Sequence, residues 1–457
     1  MRILLVAPAI DKYLLLPNEK SKEVKQFRFS LLSLLSVAAC TPTEHSIQIV
    51  DEHVEQLNFE LDVDVVGVSL MTGHATRAYE IGDNFLRRNR IVIFGGFHPS
   101  FLPEEALPHC SAIVVGEAET AWPQVLKDIK QMTLKKIYRN AEPIDLAMLN
   151  TPPRYLLEKR RREYITINAV QISRGCENKC NFCSIPAFYG SYRMRPIAKV
   201  VEELRTIRSQ HILFIDDNIV GNAQYAREMF KAITPLKKKW VSQSSLKMVQ
   251  EPGLLKAAVL SGCKGLFIGF ETTNEQNLAL VGKDFNKAEE YVHAVRVLHK
   301  HGVNVQAALI FGFDNDDSSV FERTLSFIES VGIDAIQTSI LTPLPGTKLF
   351  EQMESQNRIV DRNWRNYDYR HVVFKPAKMS SAELLNGTEW IIGEFYRKRR
   401  IARRILKGLI RGDIFGTLHL SLPVNIGYHI DSVRWRINGI VPSKLAIDNK
   451  ECNLTSA

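Results

Sequence analysis

Three of the seven cysteines in this 457-residue chain, Cys176, Cys180 and Cys183, fall within eight residues, in SRGCENKCNFCSIP (173–186). Their spacing is C-x3-C-x2-C. Soft thiolate ligands suit iron–sulfur centres. Three thiolates from one loop can hold three irons of a [4Fe–4S] cubane and leave the fourth iron open to chelate a small molecule. A structural zinc site is the competing chemistry. It usually takes four ligands from two paired C-x2-C or C-x2-H units. No second unit is present, because Cys40, Cys110, Cys263 and Cys452 are scattered. Phe182, directly before the last of the three cysteines, is placed to shield a cluster.

Such a loop needs a scaffold. A chain of this length exceeds one ordinary core, so two or three domains are expected. Hydrophobic residues make up 45% of the chain and charged residues 24%, which is the composition of a globular protein. Seven cysteines are too few for a secreted disulfide scaffold. The opening MRILLVAPAI lacks a small-residue cleavage site, and no apolar run reaches the ~18 residues of a membrane span. A soluble cytoplasmic protein is expected. The net charge is +9, and much of it sits in residues 397–411, which hold eight Lys or Arg.

Residues 1–135 alternate apolar strands, such as ILLVAP (3–8), DVVGVSL (64–70), IVIFGG (91–96) and AIVVGE (112–117), with amphipathic helices such as TRAYEIGDNFLRR (76–88). This pattern predicts a doubly wound parallel sheet, which binds ligands beyond the carboxyl ends of its strands. Residues 136–164, with Pro152–Pro153, are expected to be a linker. A second βα series starts at ITINAVQIS (165–173) and continues through 212–217, 240–245, 265–271, 303–313 and 334–341. Six units to about residue 345 predict a partial (βα)6 barrel with its site at the carboxyl ends of the strands. The cysteine loop follows the first strand, where a catalytic loop belongs. Residues 346–457 are expected to be a mostly helical extension.

The cysteine loop and the barrel that carries it resemble the radical S-adenosylmethionine (SAM) superfamily over about residues 165–345. The resemblance implies that the open iron takes the amino and carboxylate groups of SAM. Electron transfer then releases a 5′-deoxyadenosyl radical. By the same resemblance, Glu271, Asp217, Ser242, Gln306 and Gly312 join Phe182 as SAM contacts. Asp216, Asp217 and Asn218 also suit a turn and helix cap, and Glu271 also suits a strand-terminal surface acid.

The preceding domain, with VGVSLMTG (66–73), GGFHPS (95–100) and VVGEAE (114–119), resembles the cobalamin-binding domain fused before many radical SAM barrels. It implies cobalamin contacts at Ser69, Gly95, Gly96, His98, Gly116 and Glu117, with His74 a further candidate. The D-x-H-x-x-G segment that supplies a cobalt-ligating His is absent: position 11 is Asp, but position 13 is Tyr. Cobalamin without a protein His ligand is expected. A domain that only braces the barrel is the alternative.

Three activities fit this architecture. The first is a cobalamin-dependent C-methyltransferase acting on an unactivated carbon of a small, lipid or tetrapyrrole-like substrate. The second is a ring-closing or rearranging enzyme without methyl transfer. The third is an RNA modifier of the methylthiotransferase type, which needs further N-terminal cysteines that are not here. A flavodoxin or ferredoxin is the expected electron donor, and a nucleic-acid partner is not expected. Trp364, Tyr367 and Tyr369 either line a hydrophobic substrate mouth or pack over the barrel. Helix 397–411, with Ile401, Ile405, Leu406, Leu409 and Ile410 as its apolar side, either touches an anionic membrane or packs on the barrel.

Overall fold

The computed structural model describes residues 1–10, 31–140, 142–164, 166–283 and 288–437. The Asp11–Tyr13 segment and Cys452 lie outside them. Strands β1 (Arg2–Ala7), β2 (Ser46–Asp51), β3 (Val65–Ser69), β4 (Ile91–Gly95), β5 (Ala112–Val115) and β6 (Ile137–Arg139) form one parallel sheet in the order β2-β1-β3-β4-β5-β6. The chain leaves β1 for β2 on one side and crosses to β3 on the other. That reversal is the switch point of a doubly wound fold. Both faces of the sheet are covered. Leu5, Val65 and Ile93 pack with Leu35, Trp122 and Val125 on one side. Leu4, Val66 and Val92 pack with Ile81 and Phe85 on the other. The unbroken apolar runs in the sequence reflect this two-sided burial.

The second sheet is built from β7 (Ala169–Val170), β10 (His211–Phe214), β11 (Lys239–Ser244), β12 (Cys263–Glu271), β13 (Asn304–Phe311) and β14 (Ala335–Ile340), all parallel. Its order, β14-β13-β12-β11-β10-β7, never reverses, as in an open barrel wound in one direction. A short antiparallel pair, β8 (Ser173–Arg174) and β9 (Arg193–Met194), brackets the cysteine loop. Here only one face carries the core. Trp240, Leu266, Ile268, Phe270, Val305 and Ala307 pack outward on the helices, and alternate positions face the barrel interior.

Two expected boundaries move. The linker is not all linker: Ile137–Arg139 pairs with β5 and extends the first sheet beyond residue 135. Of the strand expected over 165–173, residue 165 lies outside the described residues, and over 166–173 the strand is not continuous, because it stops at Val170 and β8 turns to pair with β9 instead.

The C-terminal extension contains helices Ser381–Phe395, Lys398–Ile410 and Leu422–Ile437. A capping box of Ser380 and Glu383 starts the first of these. The extension closes the amino end of the barrel: Asn304 donates to Asp413 at 2.8 Å, and Gln306 bonds Tyr428 at 3.1 Å. The carboxyl end is left for the cysteine loop. No helix among the described residues is long and apolar enough to cross a membrane.

Candidate active site

The cysteine loop leaves β8 through Gly175, whose φ is +86°; a Cβ there would meet the Ser191 carbonyl oxygen at 2.4 Å, so a glycine is required. Neighbouring loops then hold the cysteine loop in place. Glu177 accepts from Asn218 Nδ2 at 2.9 Å and from Lys247 Nζ at 3.1 Å, which ties it to the ends of β10 and β11. Asn181 donates from its backbone to the Val281 carbonyl at 3.3 Å and from its side chain to that of Leu280 at 3.1 Å. The Cys183 amide donates to the Cys180 carbonyl at 3.2 Å. Burial pushes the Cys176 thiol up to about 11 and the Cys183 thiol to about 12, and Cys180 in the same direction, opposed there by the Lys283 ammonium. Each thiol lies within the field of another of the three. Among the described residues no three His, Cys, Asp or Glu side chains converge on a single metal ion. A cubane asks for a wider arrangement, one thiolate to each of three irons, and this loop supplies the three soft donors.

Glu271, the last residue of β12, has φ +60°. This left-handed conformation in a non-glycine residue turns its carboxylate back over Gly269, toward the barrel interior. Its partner is Lys283, with Nζ at 2.5 Å from Oε1. The ammonium also reaches the Gly269 carbonyl and lies in the field of Cys180 and Cys183. Composition and spacing give no signal for Lys283. Asp216 is fully buried and accepts from the Ile172 and Ser173 amides and from Ser173 Oγ, all at Oδ1. Burial raises its carboxyl to about 6. Beside it, Asp217 is raised to about 7 by burial and then by Asp216; its Oδ2 is buried without a partner among the described residues. Phe182 packs at the barrel mouth, its ring 6.4 Å from Phe313. Cys176, Cys180, Cys183, Phe182, Asp217 and Glu271 are therefore gathered at one end of the barrel.

Three expected SAM contacts lie elsewhere. Ser242 shares the helix-facing row of β11 with Trp240 and is buried. Strand side chains alternate, so its neighbour Gln243 faces the interior. Gln306 is the third residue of β13, near the amino end, and is bonded to Tyr428. Gly312 does have a positive φ, +103°, but a Cβ there would meet Leu384 at 2.8 Å and Phe374 at 3.1 Å. Its bareness admits the C-terminal helix rather than a ligand. The Gly312 amide donates to Asp316, which also takes the Phe313 amide and Asn277 Nδ2. This carboxylate ties together the loops after β12 and β13.

In the first domain, Ser69, Gly95 and Gly116 sit at adjacent carboxyl ends of β3, β4 and β5. A Cβ on Gly116 would meet nothing within 4 Å, and one on Gly95 only Val114 at 3.8 Å or more. This bare edge is a cradle that side chains would fill, and it fits the close backbone approach a corrin requires. Ser100 Oγ links it, accepting from the Gly116 amide and donating to the Gly96 carbonyl. Gly96 itself is bare for another reason: a Cβ would stand 2.6 Å from the Leu70 carbonyl oxygen. His98 is not an exposed loop residue. It is fully buried, 2.8 Å from the Tyr79 hydroxyl and edge-on to Trp364. Its place is in the packing beneath the cradle. His74 lies beside His53. Glu117 spends its carboxylate within the protein, on Arg174 at 2.7 Å and Arg193 at 2.9 Å.

That last contact joins the two halves. Arg174, two residues before Cys176, is buried between Glu117 and Glu119, and Glu117 directly follows Gly116. Phe97, just after Gly96, stacks on Phe188 in the helix after Cys183, with ring centres 4.2 Å apart. The carboxyl ends of both sheets therefore face each other. Of the three late aromatics, Trp364 and Tyr367 are structural: Trp364 donates to Glu105 and Tyr367 is buried. Tyr369, with φ +64°, is partly exposed and lies in the field of Cys183.

Fold and site together define a two-domain enzyme in which a ligand-binding doubly wound domain faces a cluster-bearing partial barrel. The sequence profile of the radical SAM superfamily matches residues 170–328, and that of the B12-binding domain matches residues 35–126. The bacteriochlorophyllide d C-12(1)-methyltransferase of Chlorobaculum tepidum is 32% identical over 82% of this chain and 84% of its own length. The C-8(2)-methyltransferase of the same organism is 28% identical over 78% and 83%. The structure of the cobalamin-dependent S-adenosylmethionine radical enzyme OxsB with aqua-cobalamin bound shares the fold. It superposes with a TM-score of 0.66 at 17% identity, covering 96% of this chain and 76% of that one. The chain belongs to the radical SAM enzymes that carry a cobalamin-binding domain, a family of methylases and cyclases, and its cofactors are a [4Fe–4S] cluster, SAM and cobalamin.

Proposed function

We propose that the enzyme transfers a methyl group to an unactivated carbon of a tetrapyrrole-type substrate. The observation that carries this is the facing of the two cradles. Arg174 and Glu117 hold the Gly95–Gly116 edge against the cysteine loop, so a methyl carrier and a radical source would share one cavity. Cys176, Cys180 and Cys183 would hold the cluster, Glu271 and Lys283 would orient SAM, and Ser69, Gly95 and Gly116 would seat the corrin. When bound, these groups supply radical formation and the transferable methyl. The protein's own part is positioning and exclusion of water. Phe182, Phe97 and Phe188 shield the cavity, and Tyr369 lines its mouth. The tetrapyrrole class is supported by the two bacteriochlorophyllide methyltransferase relatives. A small flavodoxin- or ferredoxin-type protein supplies electrons, and the enzyme works in the cytoplasm in peripheral contact with a membrane.

The test is anaerobic reconstitution with iron, sulfide and hydroxocobalamin, followed by incubation of a chlorin substrate with labelled SAM. About four irons and one cobalt per chain are expected, with a singly methylated chlorin and 5′-deoxyadenosine as products. A ring-closed product carrying no label would replace methyl transfer with cyclisation. SAM cleavage with no change in any chlorin would remove the tetrapyrrole class.

A further inference from the structure

We propose that the outward face of helix Lys398–Ile410, with the short helical segment after it, docks the protein on an anionic lipid surface. The proposal rests on the hydrophobic-substrate reading for its purpose, but its geometry stands apart from that reading. The helix departs from an ordinary surface helix in turning part of its basic set inward. Arg404 points inward, its guanidinium 3.7 Å from the centre of the Phe395 ring and bonded to Asn425. Arg400 and Arg411 also turn in, to Glu329 and Asp334. Ile401 is buried and Ile405 is partly covered, so neither belongs to the expected apolar contact face. Gly408 is bare because a Cβ would stand 2.4 Å from Thr417 Oγ1, where the following segment folds back.

What remains outside is a mixture of large apolar and basic side chains. Leu406 is 57% exposed and Ile410 76%, with Leu409 beside them, and Ile414 at 61% and Leu418 continue the exposure beyond the turn. At 100° per residue, Leu409, Leu406 and Ile410 occupy about 100° of one face. Lys398, Arg399, Arg403 and Lys407 stand among and beside them, all exposed, and none has an ion-pair partner among the described residues. The single acid from 397 to 430 is Asp413, and it is held by Asn304 and the Gly416 amide. Along the flank of the helix an open recess is lined by Arg400, Arg403, Arg404, Lys407 and Arg411, with Glu329 and Asp334 as its acids. Large apolar side chains held in water beside unpaired cations are costly on a free surface. They suit the boundary of an anionic bilayer, where the apolar groups enter the acyl edge and the cations meet phosphates.

The experiment is flotation of the reconstituted holoenzyme with vesicles of phosphatidylcholine alone and with added phosphatidylglycerol. The wild type should float with the anionic vesicles and stay behind with the neutral ones. Arg399→Glu/Arg403→Glu should weaken binding at least about tenfold, since each surface cation adds to the attraction of an anionic bilayer. Leu406→Ser/Ile410→Ser should weaken it too, with iron content and circular dichroism unchanged in both. Absence of flotation by the wild type, or flotation unaffected by both double variants, overturns the proposal. So does a wild-type dimer that Leu406→Ser/Ile410→Ser converts to monomer without any vesicle binding; the face would then meet a second copy. Methylation of detergent-dispersed substrate should survive in both variants. Retained flotation without methylation would sink the proposed activity and leave the docking surface standing.

Discussion

The two sheets have six parallel strands each and differ in how the chain visits them. In the first, the path reverses at β1, helices cover both faces, and two separate cores form. No face is left for a ligand, so the usable surface is the carboxyl edge, where Gly95 and Gly116 leave room. In the second, the path never reverses and one core forms on one face only. The other face curls into an interior that can hold a reaction. One architecture makes a shelf and the other makes a chamber. The Arg174–Glu117 pair sets the shelf against the mouth of the chamber.

The largest effect should come from the chamber. Cys176→Ala, Cys180→Ala or Cys183→Ala should each abolish the brown colour, the bound iron and SAM cleavage. Cys263→Ala, in the core row of β12, should keep all three. A four-iron cluster retained in any of the first three variants would break the division of roles. At the junction, Arg174→Ala leaves buried Glu117 with Arg193 as its remaining cation and partly buried Glu119 without Arg174. Losing the sole partner of a buried charge costs about 3–5 kcal/mol, and the retained Arg193 keeps the loss here below that range. A lowered thermal midpoint with separated unfolding of the two halves is expected; a single unshifted transition would show that the sheets are coupled elsewhere.

Asp316 sharpens the picture of the chamber's rim. Burial raises its carboxyl from the ordinary 3.8 to about 6, so between these values the folded state binds the proton more tightly. The stabilisation is complete below pH 4 and is lost as pH rises through about 6. Relative to Asp316→Asn, the wild type should lose on the order of 2–3 kcal/mol between pH 4 and pH 7, read from urea unfolding. A difference that stays flat would mean that the three donors hold the carboxylate at its ordinary value. The smallest change belongs to the shelf. Gly116→Val fills the cradle and strains a left-handed residue by about 1–2 kcal/mol. Cobalt content should drop while iron stays near four per chain. Unchanged cobalt would move the corrin off this edge.

The sequence legibly marked what depends on local pattern. Apolar runs and helical periodicity located the strands within a few residues, because burial on a sheet leaves a period in the chain. The three cysteines were legible because their chemistry needs only spacing within one loop. The misplaced contacts had a different cause. Ser242 and Gln243 are neighbours in sequence and opposite in space, so the facing of the strand had to be known. Gln306 was assigned to the right strand but lies at its wrong end. Gly96 and Gly312 are bare because Leu70 and Leu384 come from elsewhere in the chain, and His98 is buried by Tyr79 and Trp364.

Lys283, Glu177 and the Arg174–Glu117 pair left no trace in local pattern, since each acts on a partner between 12 and 70 residues away. The exposed Leu406 and Ile410 were visible as apolar residues, yet only packing shows that the helix turns Arg404 inward instead. By itself the sequence determined the three-cysteine loop, the two parallel sheets and their order along the chain, because short-range spacing and burial periodicity specify them. The tertiary structure alone decided which side chains meet at the site, because long-range contacts determine facing, depth and partner.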